Sequence, residues 1–334
     1  MVMAQSLFIT LKNSLPESQI DVLAPSWSLA LMERMPEVSH AFAMPLAHGQ
    51  FNFSARVLLG KSLRAEAYDQ AILLPNSWKS AVTPFFANIP LRTGYVGECR
   101  WGLLNDARRL DKSQLTMTVQ RFVALGLPRI SVLHPKCPTP RLSISVEQQA
   151  NVIEKFALNA AFTQVTAEEA LKAIYPILAL CPGAEYGEAK RWPVEHYAAV
   201  AKQKLADGWL VWLFGSEKDK VSAAQINALA ADGCVDFTGR TALAEAVDLM
   251  SLVDTVVSND SGLMHVAAAL DKNLVALYGS SDPNFTPPLN AKAQIVFLNL
   301  LCSPCFKREC PLGTLACLRV ITPDAVLQLI QDTP

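Results

Sequence analysis

The spacing of apolar and polar positions is most regular in the second half of the chain. From Ile177 onward, short apolar runs alternate with amphipathic stretches of helical length. The pattern predicts strands at 177–182, 209–216, 235–239, 255–260 and 274–280, with helices over 194–207, 219–232 and 242–254 between them. Apolar strands that alternate with helices are typical of a parallel sheet with helices on both faces.

The carboxyl ends of these strands share one character, and ligands bind at that end of such sheets. All five ends are small, polar or flexible: Pro182-Gly183, Gly215-Ser216-Glu217, Thr238-Gly239, Asn259-Asp260 and Gly279-Ser280-Ser281. A single end of this kind is ordinary turn chemistry. Five of them in succession, with Lys190, Glu217, Asp260 and His265 among them, predict a nucleotide site lined by backbone groups.

The most specific stretch is NDSGLMHVAAAL at 259–270, which predicts a strand, a tight turn and a helix. A helix that opens on Ser261 and Gly262 directs free N–H groups and a positive dipole end at the space above the strand, which suits a phosphate. His265 lies four residues after Ser261 and therefore on the same helix face. The alternative is that Asp260 or Ser261 only caps a core helix.

The first half of the chain is α/β as well, but less regular. The pattern predicts helices at 1–16 and 28–36 and strands at 19–25, 41–46 and 70–77. A polar, loop-rich region follows at 92–110 and contains Arg92, Arg100, Arg108 and Arg109. It is either a solvated surface loop or a groove for an anionic acceptor, because functional residues favour long loops on α/β scaffolds.

Composition narrows the class of protein. A chain of 334 residues is long for one core, so two domains are expected. The formal net charge of −1 argues against a general nucleic-acid binder, which would carry a basic excess. No apolar run reaches transmembrane length, and the start lacks the pattern of a signal peptide. Eight cysteines without a secretion signal fit the reducing cytoplasm.

Four of the cysteines are clustered near the end of the chain, at Cys302, Cys305, Cys310 and Cys317. Four thiols at short spacing can close a tetrahedral zinc site, and such a zinc would be structural. The irregular spacing leaves the alternative open, which is a set of free or buried thiols near a structural loop.

Several long segments together resemble the ADP-heptose:lipopolysaccharide heptosyltransferases, glycosyltransferase family 9. They are PGAEYGEAKRWP, LFGSEKD, NDSGLMHVAAAL and VALYGSSDPNFTPP in the second half, and LPNSWKSAVTPFFANIPLRTGYVGE and GLLNDARRLDK in the first. The resemblance implies an α/β protein with the GT-B fold, in which two Rossmann-like, doubly wound domains face a cleft. It implies an acceptor-binding domain at 1–165, a nucleotide-sugar domain at 175–322 and a C-terminal helix at 323–334.

The resemblance implies an inverting transfer of heptose from ADP-heptose to the lipopolysaccharide inner core. Lys190 would neutralise the donor diphosphate, Ser261 and Gly262 would bind it through N–H groups, and His265 would contact phosphate or sugar. Asp260 would accept bonds from sugar hydroxyls or order the turn, and Glu217 would accept from the ribose diol. The remaining implied contacts are Gly183 and Thr238 for the donor, and Asn76, Ser77, Lys79, Arg92 and Arg100 for the acceptor. Lys190, Asp260 and His265 would form the catalytic group.

No metal is expected for transfer, because the chain has no Asp-x-Asp pair in a suitable loop that could hold Mg²⁺. The acceptor would be a lipid A-core molecule, so the protein would be cytoplasmic and peripheral at the inner face of the inner membrane. The resemblance also implies that a first strand and a turn carrying the general-base Asp lie upstream of Met1. Two rivals stay open: a sugar-nucleotide epimerase on the same fold, and a truncated or degenerate protein that binds the nucleotide sugar without catalysis.

Overall fold

The computed structural model describes residues 1–46, 50–129, 134–163 and 172–330. They form two compact units, of which one comprises Met3–Pro138 and the other Thr139–Pro334. The predicted domain bounds put the division later, at 165–175, and they stay a prediction because residues 164–171 lie outside the described ones. Among the described residues, no helix has both the length and the apolar character needed to cross a bilayer.

The described residues of the first unit form two separate parallel sheets. Its elements in chain order are α1 (Gln5–Ser14), β1 (Asp21–Pro25), α2 (Leu29–Met32), β2 (His40–Met44), α3 (Phe53–Ser62), β3 (Gln70–Leu73), α4 (Trp78–Phe86), β4 (Leu91–Tyr95), β5 (Asp106–Arg108) and α5 (Thr118–Gly126). One sheet pairs β1 with β2, and the other has the order β3-β4-β5. The Tyr68 hydroxyl donates to Asp21 Oδ2 at 2.7 Å and so links the starts of the two sheets.

The predicted strands of this half are present, but the loop-rich region at 92–110 is only partly a loop. Arg92 lies within β4 and Arg108 ends β5. The two strands pair in parallel, with Thr93 opposite Asp106. The Thr93 hydroxyl donates to Asp106 Oδ2 at 3.0 Å. Polar residues that satisfy one another across a ladder do not show the alternation of apolar and polar positions on which strand prediction depends, which is why these strands were missed.

The second unit holds one continuous parallel sheet of six strands. Its elements are α6 (Val146–Lys155), β6 (Phe162–Thr163), β7 (Lys172–Ala173), β8 (Ile177–Cys181), α7 (Val194–Ala206), β9 (Leu210–Leu213), α8 (Lys220–Leu229), β10 (Val235–Asp236), α9 (Leu243–Met250), β11 (Thr255–Asn259), α10 (Gly262–Ala269), β12 (Asn273–Tyr278), β13 (Ala293–Phe297), α11 (Ala316–Arg319) and α12 (Pro323–Leu327). The order in the large sheet is β10-β9-β8-β11-β12-β13.

All five strands predicted in this half are confirmed, and the alternation of strands and helices holds as far as β12. The sixth strand, β13, was missed because no helix separates it from β12, so the alternation that identifies the other strands is absent there. The last helix begins at Pro323 as predicted but ends at Leu327, and 331–334 lie outside the described residues.

The core of the second unit forms around its central strands. Every residue of β8 and β11 is buried. Helix α7 contributes Tyr197 and Val200, and the segment before it contributes Trp192, whose indole N–H donates to the Ile321 carbonyl at 3.0 Å. Central strands buried on both faces have few ways to move, so the turns that follow them are held on a rigid base.

Candidate functional site

The candidate site lies at the carboxyl ends of β8 and β11. These strands are neighbours in the sheet, but the chain runs from β8 outward to β9 on one side and from β11 outward to β12 on the other. Strand order therefore reverses between them, and this reversal opens a crevice where ligands of parallel α/β sheets bind. The segment with Lys190 follows β8, and Asp260 follows β11 directly.

Lys190 and Asp260 form an ion pair at this position. Lys190 Nζ lies 2.5 Å from Asp260 Oδ2, and the side chains are 18% and 6% exposed. The ammonium group also lies 5.2 Å from the centre of the Tyr186 ring. Both residues were placed in the site from the sequence, but as separate contacts. Because they are paired, the Lys190 charge is already compensated when no ligand is bound.

Asn259, the last residue of β11, fixes the segment that carries Lys190. Its Oδ1 accepts from the Trp192 backbone N–H at 3.1 Å and from the Tyr197 hydroxyl at 3.1 Å. Its Nδ2 donates to the Pro182 carbonyl at 2.7 Å. One buried amide thus joins the ends of both central strands to the loop between β8 and α7. From the sequence, Asn259 is predicted only as part of a strand end, since nothing local marks these long-range bonds.

The first turn of α10 supports both roles that the sequence left open for it. The Ser261 hydroxyl accepts from the Met264 N–H at 3.4 Å, so Ser261 caps the helix. Gly262 is exposed, and a Cβ placed on it would meet no atom within 4 Å. There is consequently free space beside the positive end of the helix, as an anion would need.

His265 lies in the same turn, but its side chain carries no positive charge that could attract a phosphate. Burial lowers the pKa of its imidazole to about 4, against the opposing effect of nearby Asp260. The ring is therefore neutral at pH 7 and can contribute a hydrogen bond but no positive charge.

Asp219 organises the ends of β8 and β9 and was not identified from the sequence. Its Oδ2 accepts from the Ser216 N–H at 2.9 Å and from the Ser216 hydroxyl at 2.7 Å, and its Oδ1 lies 3.1 Å from Arg191 Nη2. Gly183 is close to it, because a Cβ there would come within 2.6 Å of Asp219 Oδ2. A side chain at position 183 would therefore displace the Asp219 carboxylate from its bonds, which gives this predicted donor residue a packing role.

Glu217 and Thr238 lie together at the ends of β9 and β10. Glu217 is exposed and pairs with Lys220 at 2.8 Å. Its carboxylate is beside Gly239, where a Cβ would meet Glu217 Oε2 at 2.7 Å and where φ is +64°. Thr238 is 1% exposed, and its hydroxyl has no hydrogen-bond partner among the described residues. An exposed carboxylate beside a bare backbone is suited to a ribose diol, as the sequence predicted for Glu217.

The predicted acceptor residues lie in the first unit, after β3 and along β4. Arg100 is 2% exposed and donates to the Pro75 carbonyl at 2.7 Å and to the Tyr95 carbonyl. Arg92 donates to the Leu103 carbonyl at 2.7 Å and to the Ile89 carbonyl at 2.5 Å. These bonds support a structural role for both arginines.

The other three predicted acceptor residues lie at the turn from β3 into α4, where Asn76 is exposed and Ser77 and Lys79 are half-buried. Glu98 occupies the start of α4, where it accepts from the Trp78 N–H at 2.8 Å. An acceptor role for the five residues stays a prediction.

The four clustered cysteines line one pocket next to the site. Cys302, Cys305, Cys310 and Cys317 share it with Ser280, whose buried hydroxyl has no partner among the described residues. The Leu315 N–H donates to Cys310 Sγ at 3.4 Å, and backbone donors of this kind lower the pKa of that thiol. Within the described part of the chain, however, no three Cys, His, Asp or Glu side chains converge on one metal position.

Known proteins are similar to this chain in both sequence and architecture. The model of glycosyltransferase family 9 (heptosyltransferase) matches residues 56–316. Lipopolysaccharide heptosyltransferase 2 of Salmonella typhimurium is 46% identical over 98% of this chain and 93% of its own length. Lipooligosaccharide heptosyltransferase 2 of Haemophilus influenzae is 46% identical over 89% of this chain and 85% of its own length.

Among solved structures, the ADP-heptose lipopolysaccharide heptosyltransferase II of Escherichia coli is similar, with a TM-score of 0.83 and 41% identity. That match covers 99% of this chain and 93% of the other. It confirms the predicted fold class, an α/β protein of GT-B type.

Proposed function

Because the chain belongs to glycosyltransferase family 9, the heptosyltransferases, we propose that it transfers L-glycero-D-manno-heptose from ADP-heptose to the heptosyl-Kdo2-lipid A inner core of lipopolysaccharide. The predicted family, its heptosyltransferase II branch and the glycosyltransferase class are thereby confirmed. The observation that carries the proposal is the meeting of Lys190, Asp260 and the first turn of α10 where strand order reverses.

The donor would be held at its ribose and at its diphosphate. Glu217 and the bare backbone at Gly239 are suited to the ribose, while the N–H groups at Ser261 and Gly262 are suited to the diphosphate. As the bond between heptose and phosphate breaks, negative charge develops on the leaving ADP. An ammonium group fixed in a partly buried site stabilises that charge without reorganising, which is the role we assign to Lys190.

Asp260 and His265 complete this group in different ways. Asp260 holds Lys190 in position and, when the ammonium turns to the phosphate, has a carboxylate free for sugar hydroxyls. His265 donates or accepts a hydrogen bond as a neutral ring, given its lowered pKa. The acceptor hydroxyl must also lose a proton, and we assign none of these three residues to that step.

Transfer would proceed without a divalent ion, since Lys190 and the start of α10 supply the positive potential at the leaving group. Activity is expected to be retained in excess EDTA, and strict dependence on added Mg²⁺ would contradict this. A structural zinc at Cys302, Cys305, Cys310 and Cys317 stays a prediction: the four thiols line one pocket, but within the described part of the chain no three side chains converge on one metal position. Elemental analysis of the purified protein tests it, and about one zinc per chain that is lost in Cys310→Ser would support the site.

A lipid-bound acceptor is supported by a cluster of aromatic rings on the first unit. Phe51 and Phe53 are 58% and 43% exposed and contact Trp78, and Arg92 lies over the neighbouring Phe85 ring at 5.5 Å. Exposed aromatic and basic side chains together favour the interface of an anionic bilayer. We therefore place the working protein at the inner face of the inner membrane. Co-sedimentation with anionic vesicles, and weaker sedimentation of Phe51→Ser/Phe53→Ser, are expected.

The direct test is a transfer assay with defined acceptors. Purified protein, ADP-heptose and heptosyl-Kdo2-lipid A should release ADP and give a product heavier by one heptose in mass spectrometry. Kdo2-lipid A without the first heptose is the matched control and should give no product. If nucleotide is released at the same rate with no acceptor, the epimerase alternative is favoured. If the donor binds without any turnover, the chain acts only as a nucleotide-sugar-binding protein.

A further inference from the structure

The cations identified at the donor site carry little uncompensated charge. Lys190 is paired with Asp260 at 2.5 Å, and Arg191 is paired with Asp219 at 3.1 Å. His265 is neutral at pH 7 because its pKa is lowered to about 4. A diphosphate brings negative charge on both of its phosphates, so the first turn of α10 and one compensated lysine leave part of that charge without a partner.

One further cation lies beside this group. The Tyr186 ring has Lys190 Nζ 5.2 Å from its centre and Arg308 Cζ 5.3 Å from its centre. Arg308 is exposed and forms no ion pair with any of the residues that the structure describes. Its guanidinium thus contacts the same aromatic ring as the Lys190 ammonium group, while its charge and its hydrogen-bond donors are free for a ligand.

The backbone around Arg308 is fixed to the segment that carries Lys190. The Arg308 carbonyl accepts from the Ala189 N–H at 3.0 Å. Gly187, with φ of +154°, packs against the same carbonyl so closely that a Cβ would lie 2.4 Å from its oxygen. Two residues earlier, the Phe306 carbonyl accepts from the Tyr186 hydroxyl at 2.9 Å.

The same stretch is tied to the end of β12. The Phe306 N–H donates to the Ser280 carbonyl at 2.7 Å. The Ser303 hydroxyl donates to the Gly279 carbonyl at 2.5 Å. The Arg308 backbone is consequently placed as firmly as the strand ends themselves, although its side chain reaches into solvent.

We propose that Arg308 is a second cation of the donor site and binds the diphosphate of the nucleotide sugar together with Lys190. This inference rests on the proposed function and extends it to a residue far from the other donor contacts in sequence. The planar guanidinium of Arg308 supplies paired donors that match two phosphate oxygens, which an ammonium group cannot do. Arg308 binds the ground state as well as the transition state, so its removal affects donor affinity more than turnover.

Calorimetric titration with ADP and with adenosine separates this role from a general one. Arg308→Ala is expected to weaken ADP binding about five- to tenfold, the size of one solvent-screened, charge-assisted contact, and to leave adenosine binding unchanged. Arg308→Lys should recover part of the loss because it keeps the charge. Lys307→Ala is the matched control, an exposed cation one position away with no contact to the Tyr186 ring.

The result can fail in distinguishable ways. Unchanged ADP affinity in Arg308→Ala, an equal loss for adenosine, or an equal loss in Lys307→Ala would each overturn the role of Arg308 and leave the proposed function in place. Absence of any ADP binding by the unaltered protein would instead refute the donor site itself. Thermal unfolding of each variant shows whether it is folded, and a steeper salt dependence of ADP binding in the unaltered protein than in Arg308→Ala supports the charge contact.

Discussion

Both units contain parallel sheets with helices, but their sheets differ in size and in burial. In the second, six strands form one ladder whose central strands are wholly buried. In the first, the strands divide into a pair and a triplet, and β1 and β2 are mostly half-buried. Polar side chains also differ in use: Asn259 and Asp219 hold the strand ends and loops around the candidate site, whereas Arg92 and Arg100 donate to backbone carbonyls of the first unit.

This difference in sheet size and burial implies that the second unit is the more rigid of the two and the first the more adaptable. A nucleotide diphosphate is compact, and its leaving charge is best met by groups that are fixed before it binds. A lipid-linked oligosaccharide is larger and more variable, and a surface with exposed aromatic rings and small sheets can adapt to it.

Local stability should show the largest difference. Amides of β8 and β11 are paired on both sides and buried, whereas those of β1 and β3 lie at sheet edges. Hydrogen exchange measured by mass spectrometry should be slower in β8 and β11 by at least about a hundredfold. Similar protection of both sets of strands would remove the contrast between the units.

Replacement of the Asn259 side chain should lower both the stability of the second unit and its affinity for ADP. Asn259→Ala leaves the Trp192 N–H and the Pro182 carbonyl without the partner they have in the structure, and leaves the Tyr197 hydroxyl only its bond to the Cys181 carbonyl, at a cost of about 2–3 kcal/mol in the free energy of unfolding. ADP affinity should fall as well, because the Lys190 segment loses its attachment. Denaturant unfolding and calorimetry measure the two effects.

Two controls sharpen this result. Asn284→Ala changes an exposed asparagine in a turn of the same unit and should alter stability by less than about 0.5 kcal/mol. Arg100→Met removes buried bonds of comparable number from the first unit and should destabilise it while ADP affinity is kept. A loss of ADP affinity in Arg100→Met would show that the donor site depends on both units.

Lys190→Ala should lower turnover at least about tenfold, because the leaving group loses a charge contact. It should also lower stability modestly, because Asp260 loses its partner. The double variant Lys190→Met/Asp260→Asn removes both charges and should be folded but equally slow. Lys202→Ala, an exposed lysine on α7, should be unaffected. An unchanged kcat in steady-state kinetics would exclude the proposed role of Lys190.

The smallest expected effect is a pH dependence of stability. His265 has a pKa of about 4 in the folded protein, against an ordinary value of 6.5. Between these pH values the unfolded chain binds a proton that the folded chain does not, so stability falls as the pH is lowered through this range. His265→Gln should flatten the change in unfolding free energy between pH 7 and pH 5, and an equal pH dependence in both proteins would contradict the assignment.

The sequence predicted those parts of the site that depend on local pattern. Strand ends follow from alternation and turn residues, and the turn proposed to bind phosphate follows from Ser261 and Gly262 at the start of a helix. What it left out depends on contacts between distant segments. The Lys190–Asp260 pair spans 70 residues, and the bonds of Asn259 reach Pro182 over 77. The neutral state of His265 arises from burial, which periodicity does not measure.

The fold shows the same limit. Predicted strands with a helix after them are present, whereas β4, β5 and β13 lack either apolar alternation or a separating helix. Arg308 was not singled out because nothing in CFKREC distinguishes it from Lys307. Only the Tyr186 ring, more than a hundred residues earlier in the chain, separates the two.

The closed Lys190–Asp260 pair has a consequence for selectivity among anions. A solution around the protein contains inorganic phosphate and chloride in large excess over any nucleotide sugar. A bare lysine in a crevice would attract all of them, but a lysine that already holds a carboxylate attracts them weakly. A ligand displaces that carboxylate most readily when it offers a replacement for both partners, an anion for the ammonium group and hydroxyls for Asp260. A sugar joined to a diphosphate carries both, so we expect the site to prefer a nucleotide sugar over inorganic phosphate or chloride.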